Sequence, residues 1–218
     1  MLKASIQLLK KEFTLEFRKK ETLFGVLLYI VSTVYLNYLV FNQIIDDTTW
    51  NALFWVILLF ASVQAASRSF HSESNRQFLY YYQLCSPKSI ILSKVVYNMI
   101  LLGALGLFNF FVYTLFLGNP LENSATFILV TILGASGFAA VLTMVSAIAS
   151  RTSNNMALMA ILSFPLLMPL LITLVKTSTF ALVGSDWTDI VPYISLLGLL
   201  NLLVLSLSLL LFPYIWQD

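Results

Sequence analysis

The residues best suited to binding chemistry lie in one polar stretch, residues 68–94. Ser72 or Ser74 is suited to N-cap a short helix over about residues 75–84. That helix would carry three consecutive aromatic rings with hydroxyl tips, which suit a surface that is half apolar and half wet: Tyr80, Tyr81 and Tyr82. Because a simple connector does not need this length, we interpret the stretch as a docking site for a soluble protein. The alternative is a loop whose tyrosines anchor it at a membrane surface.

Residues for catalysis or metal binding are scarce. The chain has one histidine, His71, and one cysteine, Cys85. It contains no Gly-rich phosphate loop, no His-Glu-x-x-His motif and no Cys/His cluster. A single cysteine cannot form a disulfide within its own chain. The sequence therefore predicts a protein that is not an enzyme and that binds no metal or cofactor itself.

Two prolines interrupt an apolar stretch near the C-terminal third of the chain. Pro165 and Pro169 are four residues apart, which places them on the same face of a helix. Each proline removes one backbone hydrogen bond, so the pattern predicts a kink or a break. Broken helices at mid-membrane often mark a substrate path or a hinge. The alternative is a static kink that packing absorbs.

The N-terminal lead has the periodicity of an amphipathic helix. Within residues 1–21, five apolar residues recur at steps of four, three, four and four: Leu2, Ile6, Leu9, Phe13 and Phe17. This spacing places them on one face, and Leu8 falls off that stripe. Lysines, Arg18 and glutamates fill much of the remainder. We predict an elbow helix that lies in the headgroup layer and packs beside a cytoplasmic partner; the alternative is a positively charged anchor only.

Composition identifies the environment that must position these residues. Of 218 residues, 59% are hydrophobic and 10% are charged, whereas soluble domains have roughly 45–50% and about 25%. This excludes a soluble enzyme, and a net charge of +2 argues against a nucleic-acid binder. Six apolar segments are long enough to span a bilayer, at about residues 22–45, 50–67, 95–117, 125–150, 156–175 and 190–215.

The predicted fold is therefore an all-α polytopic membrane protein. Six transmembrane helices follow the elbow helix, and a short cytoplasmic coupling helix lies between the second and third spans. No spacer is long enough for a second domain, so residues 1–218 form one transmembrane domain, with 1–21 as the elbow helix and 68–94 as the cytoplasmic loop. Small residues fill the fourth segment, which predicts a central position in the bundle because they allow close helix approach.

Charge bias predicts the orientation. Eleven of the 12 lysines and arginines lie in the lead, in the 68–94 loop and at Arg151. The opposite loops carry only Lys176, together with acidic residues. Since basic residues favour the cytoplasmic side, both termini are predicted to be cytoplasmic. The predicted spans carry no charge, which argues against an ion-coupled carrier; any transport must draw its energy from another subunit.

The loop pattern resembles the membrane subunits of ABC-2-type exporters. The residues that carry this resemblance are Phe70, Glu73, Pro87, Ser89 and Lys94. Within that group the chain is most similar to the haem exporter protein B (CcmB) family of cytochrome c maturation. Its length fits, as do the stretch Leu92–Tyr97 and the proline-containing stretch Ile161–Ile172. The chain departs from relatives at residues 77–80, where they usually have Gly-Ser/Thr-Leu-Glu.

The resemblance implies a multi-pass permease subunit of an ABC transporter in the bacterial inner membrane. It would act in haem transport for c-type cytochrome biogenesis, coupling ATP hydrolysis by a partner to release of a haem-loaded periplasmic chaperone. The expected partners are a CcmA-like ATP-binding subunit, a CcmC-like haem-handling protein, a small CcmD-like subunit, a CcmE-like haem chaperone and membrane lipid. ATP would bind to the CcmA-like subunit and haem would be handled by the partner proteins, so this chain would bind no cofactor.

The same resemblance implies where the ATP-binding subunit docks. The expected contacts are the elbow helix and seven loop residues: Phe70, Glu73, Tyr80, Tyr81, Tyr82, Pro87 and Ser89. Two other functions compete with this interpretation. One is an ABC-2-type exporter permease for a lipid, a polysaccharide or a drug. The other is a non-transporting membrane scaffold, which would have no need of a docking helix for a motor.

Overall fold

The structure is a computed structural model, and it describes residues 7–14, 20–41, 44–67, 87–150 and 155–217. These residues form only helices and their connections. A short helix, α1, covers residues 7–14. The others are α2 (Lys20–Phe41), α3 (Asp47–Ala66), α4 (Pro87–Leu117), α5 (Ser124–Ala149), α6 (Asn155–Val183) and α7 (Trp187–Gln217). Helices α2 to α7 are each long and apolar enough to cross a membrane, which confirms the predicted fold class.

Some of the predicted site residues lie outside the described ranges. One set belongs to the coupling loop and includes Phe70, Glu73 and the three tyrosines. The other set comprises three of the five residues in the predicted elbow stripe: Leu2, Ile6 and Phe17. For these residues the docking and elbow assignments stay predictions.

Two helices are longer than the sequence indicates. Helix α4 begins at Pro87 instead of near residue 95, and α6 continues to Val183 instead of ending near residue 175. Hydropathy falls at the polar ends of a helix although the backbone hydrogen bonds continue. As a result Lys94 and Lys176 lie on membrane-spanning helices. The expectation that the spans carry no charge is wrong at these two positions, and the candidate spans also include Asp47, Lys88 and Asp189 close to their ends.

Helices α3 and α5 begin at the same end of the bundle, here called the distal end. Asp46 caps α3 by accepting a hydrogen bond from the Thr49 backbone N–H at 3.0 Å. Hydrogen bonds from Thr49 lower the pKa of Asp46. Asn123 caps α5, and its own N–H donates to the Ala181 carbonyl near the end of α6 at 3.1 Å. The opposite end, where α1 contacts the start of α4, is the proximal end.

Helix α5 lies at the centre of the bundle, as its small residues predict. It packs against α3, α4, α6 and α7. In its apolar window 72% of residues are buried, compared with 17% in α2 and in α7. Helix α2 packs on α3 and α4, whereas α7 packs on α4, α5 and α6.

The distal half has a core of aromatic rings. The Trp50 ring lies 4.9 Å from Tyr113, and Phe54 lies 4.9 Å from Phe127, both edge to face. All four side chains are fully buried. The Tyr113 hydroxyl donates to the Trp50 carbonyl at 3.0 Å. Edge-to-face pairs stabilise beyond the area they bury, so this cluster holds α3, α4 and α5 together.

A polar network fixes α3 against α6. Trp55 Nε1 donates to Ser178 Oγ at 2.9 Å, and Ser178 Oγ donates to Asn51 Oδ1 at 2.8 Å. Asn51 Nδ2 donates to the Val175 carbonyl at 3.2 Å. Unpaired polar groups are costly in hydrocarbon, so these bonds specify the register of the two helices.

Gly137 sets how closely α6 and α7 approach α5. A Cβ at this position would collide with Leu170 of α6 and with Oδ1 of Asn201 of α7. Asn201 Nδ2 also donates to the Leu133 carbonyl and to Ser136 Oγ, both at 3.0 Å. By contrast, a Cβ at Gly103 would meet nothing within 4 Å.

We therefore expect Gly137→Ala to be less stable than Gly103→Ala. Both variants gain the same helix propensity, so the difference isolates the collision. Overpacking of this kind costs about 1–3 kcal/mol, which corresponds to a melting temperature lower by at least about 2 °C. Thermal unfolding of the purified variants in detergent measures it. Equal melting temperatures would show that Leu170 and Asn201 move aside freely.

Candidate functional site

The proximal end carries the described part of the predicted docking site. Pro87 is the first residue of α4, a position where the missing proline N–H costs no helical hydrogen bond. Ser89, two residues later, is buried. Within this chain Ser89 therefore faces its neighbours, whereas Pro87 is partly exposed at the helix start.

A buried ion pair connects α1 to α4. Lys94 is 1% exposed, and its Nζ lies 3.3 Å from Oε1 of Glu12, whose side chain is 14% exposed. Lys11 lies 3.6 Å from the same oxygen and is more exposed. A buried charge is costly unless it is paired. The Glu12 carboxylate therefore allows α4 to keep a lysine inside the bundle.

The contacts continue from α1 through α4 to the central helix. The Phe13 ring meets Tyr97 edge to face at 5.1 Å. Lys94, Tyr97 and Asn98 share one face of α4 because they are three and four residues apart. Asn98 Nδ2 donates to Thr143 Oγ1 of α5 at 2.7 Å. A continuous path of packed and hydrogen-bonded side chains thus runs from α1 to α5.

Sequence reasoning found part of this face and missed the rest. Leu9 and Phe13, from the predicted stripe, are partly buried. Leu8, placed off the stripe, packs against the hydrophobic core, and Glu12 follows it one turn later. The buried side of α1 is therefore wider than the stripe. One sequence feature could have revealed this wider face. Glu12 stands four residues after Leu8 in a lysine-rich helix, so the two residues lie on the same side.

The second candidate region surrounds the two prolines of α6. Both lie inside a helix that continues from Asn155 to Val183 without interruption; the predicted kink stays a prediction. Pro165 and Pro169 line an apolar cavity of about 130 Å³ between α5, α6 and α7. The other lining residues are Val141, Met144, Leu166, Leu170, Leu200, Leu203, Val204 and Leu207.

The described residues offer no metal site. Within those ranges, no three His, Cys, Asp or Glu side chains are grouped so that they could hold an ion. His71 and Cys85 lie outside the ranges.

Neutralising Glu12 tests the ion pair. Glu12→Gln leaves the buried Lys94 ammonium without this carboxylate, and we expect a loss of up to about 3 kcal/mol in unfolding free energy. Glu21→Gln, at an exposed position of α2, is the matched control and should be neutral. In a double-mutant cycle with Lys94→Gln, the pair should show a coupling of at least about 1 kcal/mol. Strictly additive losses would contradict a direct interaction.

Comparison with known families places the chain. The profile of the CcmB protein family matches residues 3–214, a range that includes α1 and all six spans. A search of curated proteins gives no match. Because the family match covers nearly the whole chain, this protein belongs to the CcmB family, the transmembrane permease subunits of ABC-type haem exporters in c-type cytochrome biogenesis.

Proposed function

We propose that this subunit couples ATP hydrolysis in a CcmA-like partner to release of a haem-loaded, CcmE-like chaperone in the periplasm. The observation that supports the proposal is the side-chain path from Glu12 and Phe13 through α4 to α5. A partner that pushes on the elbow helix acts through this path on the most buried helix of the bundle.

The proximal end is the proposed cytoplasmic side. It carries α1 and the starts of α2, α4 and α6, near which nearly all basic residues lie in the sequence. The acidic residues Asp46, Asp47, Glu122, Asp186 and Asp189 lie at the distal end, which would face the periplasm. This distribution is the one that the positive-inside rule favours.

The docking surface would combine two parts of the chain. One is the loop, with Phe70, Glu73 and Tyr80 to Tyr82; the other is α1 with the start of α4 at Pro87. Since the Glu12–Lys94 pair holds α1 against α4, a partner bound to the loop displaces both together. The loop residues are assigned from the sequence resemblance.

The region around the prolines would supply the movement. Each proline leaves the carbonyl four residues earlier without its helical N–H donor, so bending at this level of α6 breaks fewer bonds. The adjacent apolar cavity leaves space between α6 and α7. Helix α5, by contrast, is the most buried of the six spans, with 72% of its apolar window buried. We propose that α6 bends at Pro165 and Pro169 while α5 moves as a rigid unit.

Haem itself would be handled by other subunits. In this proposal the CcmC-like protein holds haem, the CcmD-like subunit accompanies it, and the permease binds neither haem nor ATP. A general ABC-2-type exporter for a lipid, polysaccharide or drug would share the docking surface without any need for haem. A scaffold would need no motor at all.

Haem staining of c-type cytochromes tests the function. We expect a strain that lacks this gene to lose covalent haem in its membranes, and the restored gene to recover it. The Glu73→Arg variant should be present in the membrane at a normal level but should fail to restore haem, because the reversed charge disturbs docking. Cytochromes that are unchanged without any copy of the gene would favour the general exporter. Full rescue by Glu73→Arg would remove this residue from the docking surface.

Replacing both prolines of α6 tests the hinge. Pro165→Ala together with Pro169→Ala restores two helical hydrogen bonds and straightens α6, so haem staining should fall several-fold at normal protein level. Pro192→Ala, in the first turns of α7 and outside the cavity, is the control and should stain normally. Normal staining by the double variant would mean that the prolines produce only a static bend.

A further inference from the structure

A second cavity opens at the distal end, between α6 and α7. Its volume is about 420 Å³, and we call it the distal cavity. The described residues that line it are Lys176, Thr179, Phe180, Val183, Ser185 and Tyr193. The first four are spaced i, i+3, i+4 and i+7, so a single face of α6 forms one wall. Tyr193 of α7 contributes the opposite wall, and the centre of its ring lies 5.0 Å from the centre of the Phe180 ring.

Lys176 gives this cavity its charge. It is exposed, and it forms no ion pair with any carboxylate in the part of the chain that the structure describes. It lies seven residues before the end of α6, which is about 10 Å along the helix axis. A lysine at that depth is costly unless it reaches the headgroup layer or meets a counter-ion. It is also the basic residue that the charge bias separates from all others.

The remaining polar groups of the cavity are partly committed. Thr179 Oγ1 donates to the Val175 carbonyl at 2.8 Å and accepts from Asn51 Nδ2 at 3.3 Å. Three carboxylates lie near the cavity but are not among its lining residues: those of Asp186 and Asp189, at the start of α7, and that of Glu122, which lies against Gly184. A ligand would therefore meet one cation, the Ser185 hydroxyl and a wall of Phe180, Val183 and Tyr193.

We propose that the distal cavity binds an anionic phospholipid from the surrounding leaflet. The phosphate would lie beside Nζ of Lys176, and one acyl chain would lie along Phe180 and Val183. The charge selects the phosphate, and the apolar wall selects a ligand that carries hydrocarbon. A free phosphate ion would use the lysine but would gain nothing from the aromatic wall. The cavity volume falls within the usual range for small-molecule sites. This proposal does not depend on the proposed function.

Native mass spectrometry of the purified full chain tests the site. The probes are phosphatidylglycerol and diacylglycerol with identical acyl chains, which differ in the phosphate-containing headgroup. We expect phosphatidylglycerol to bind the wild-type chain at least about fivefold more strongly. Lys176→Gln should lose this preference, whereas Lys176→Arg should keep it. Lys88→Gln, an exposed lysine at the opposite end, removes the same charge and should bind like the wild type.

The other outcomes overturn the proposal. Equal loss in Lys176→Gln and Lys88→Gln would mean a general effect of net charge. Equal binding of both lipids to the wild type would mean that the lysine has no role. Displacement of phosphatidylglycerol by a large excess of inorganic phosphate would assign the site to the free anion. Because Lys176 is exposed, Lys176→Gln should unfold at the wild-type temperature, which separates lost binding from misfolding.

Discussion

Hydrocarbon offers no hydrogen bonds, and three asparagine side chains inside this bundle find partners on neighbouring helices. Asn51 binds α6 at its distal part, Asn98 binds α5 near the proximal end, and Asn201 binds the middle of α5. Apolar packing between helices in lipid is only weakly specific. These few amide contacts therefore decide which turn of each helix faces which neighbour, and every cavity and path described above depends on that register.

The number of spans and the central place of α5 could be predicted because both follow from local composition. The length of an apolar segment indicates a membrane span, and small side chains indicate that neighbouring helices can approach closely. Helix ends could not be predicted, since α4 and α6 carry Lys94 and Lys176 inside the helix where hydropathy already falls. The Glu12–Lys94 pair was also hidden. Its residues are 82 positions apart, and no spacing rule connects two charges across that distance.

The candidate site divides in the same way. Pro165 and Pro169 can be identified in the sequence by their residue type, whereas the cavity beside them is visible only in the folded structure. The proposed docking residues of the loop rest on its length, on its three tyrosines and on a family resemblance, because aromatic and acidic side chains in a loop have no period that assigns a role. Packing also separates a tightly filled centre at α5 from a looser side at α6 and α7. The proposed coupling role would use both, because a closely packed helix can transmit force from an ATPase partner and a loosely packed one can bend.

The distance in sequence between Glu12 and Lys94 has a consequence for biosynthesis. The chain is made from the N-terminus, so α1 and the first two spans are synthesised before Lys94. At about 5–20 residues per second, the 82 residues between them take roughly 4–16 s to synthesise. During that interval the Glu12 carboxylate has no Lys94 ammonium to pair with. The pairing of α1 with α4 through Glu12 and Lys94 therefore waits until the third span has been synthesised.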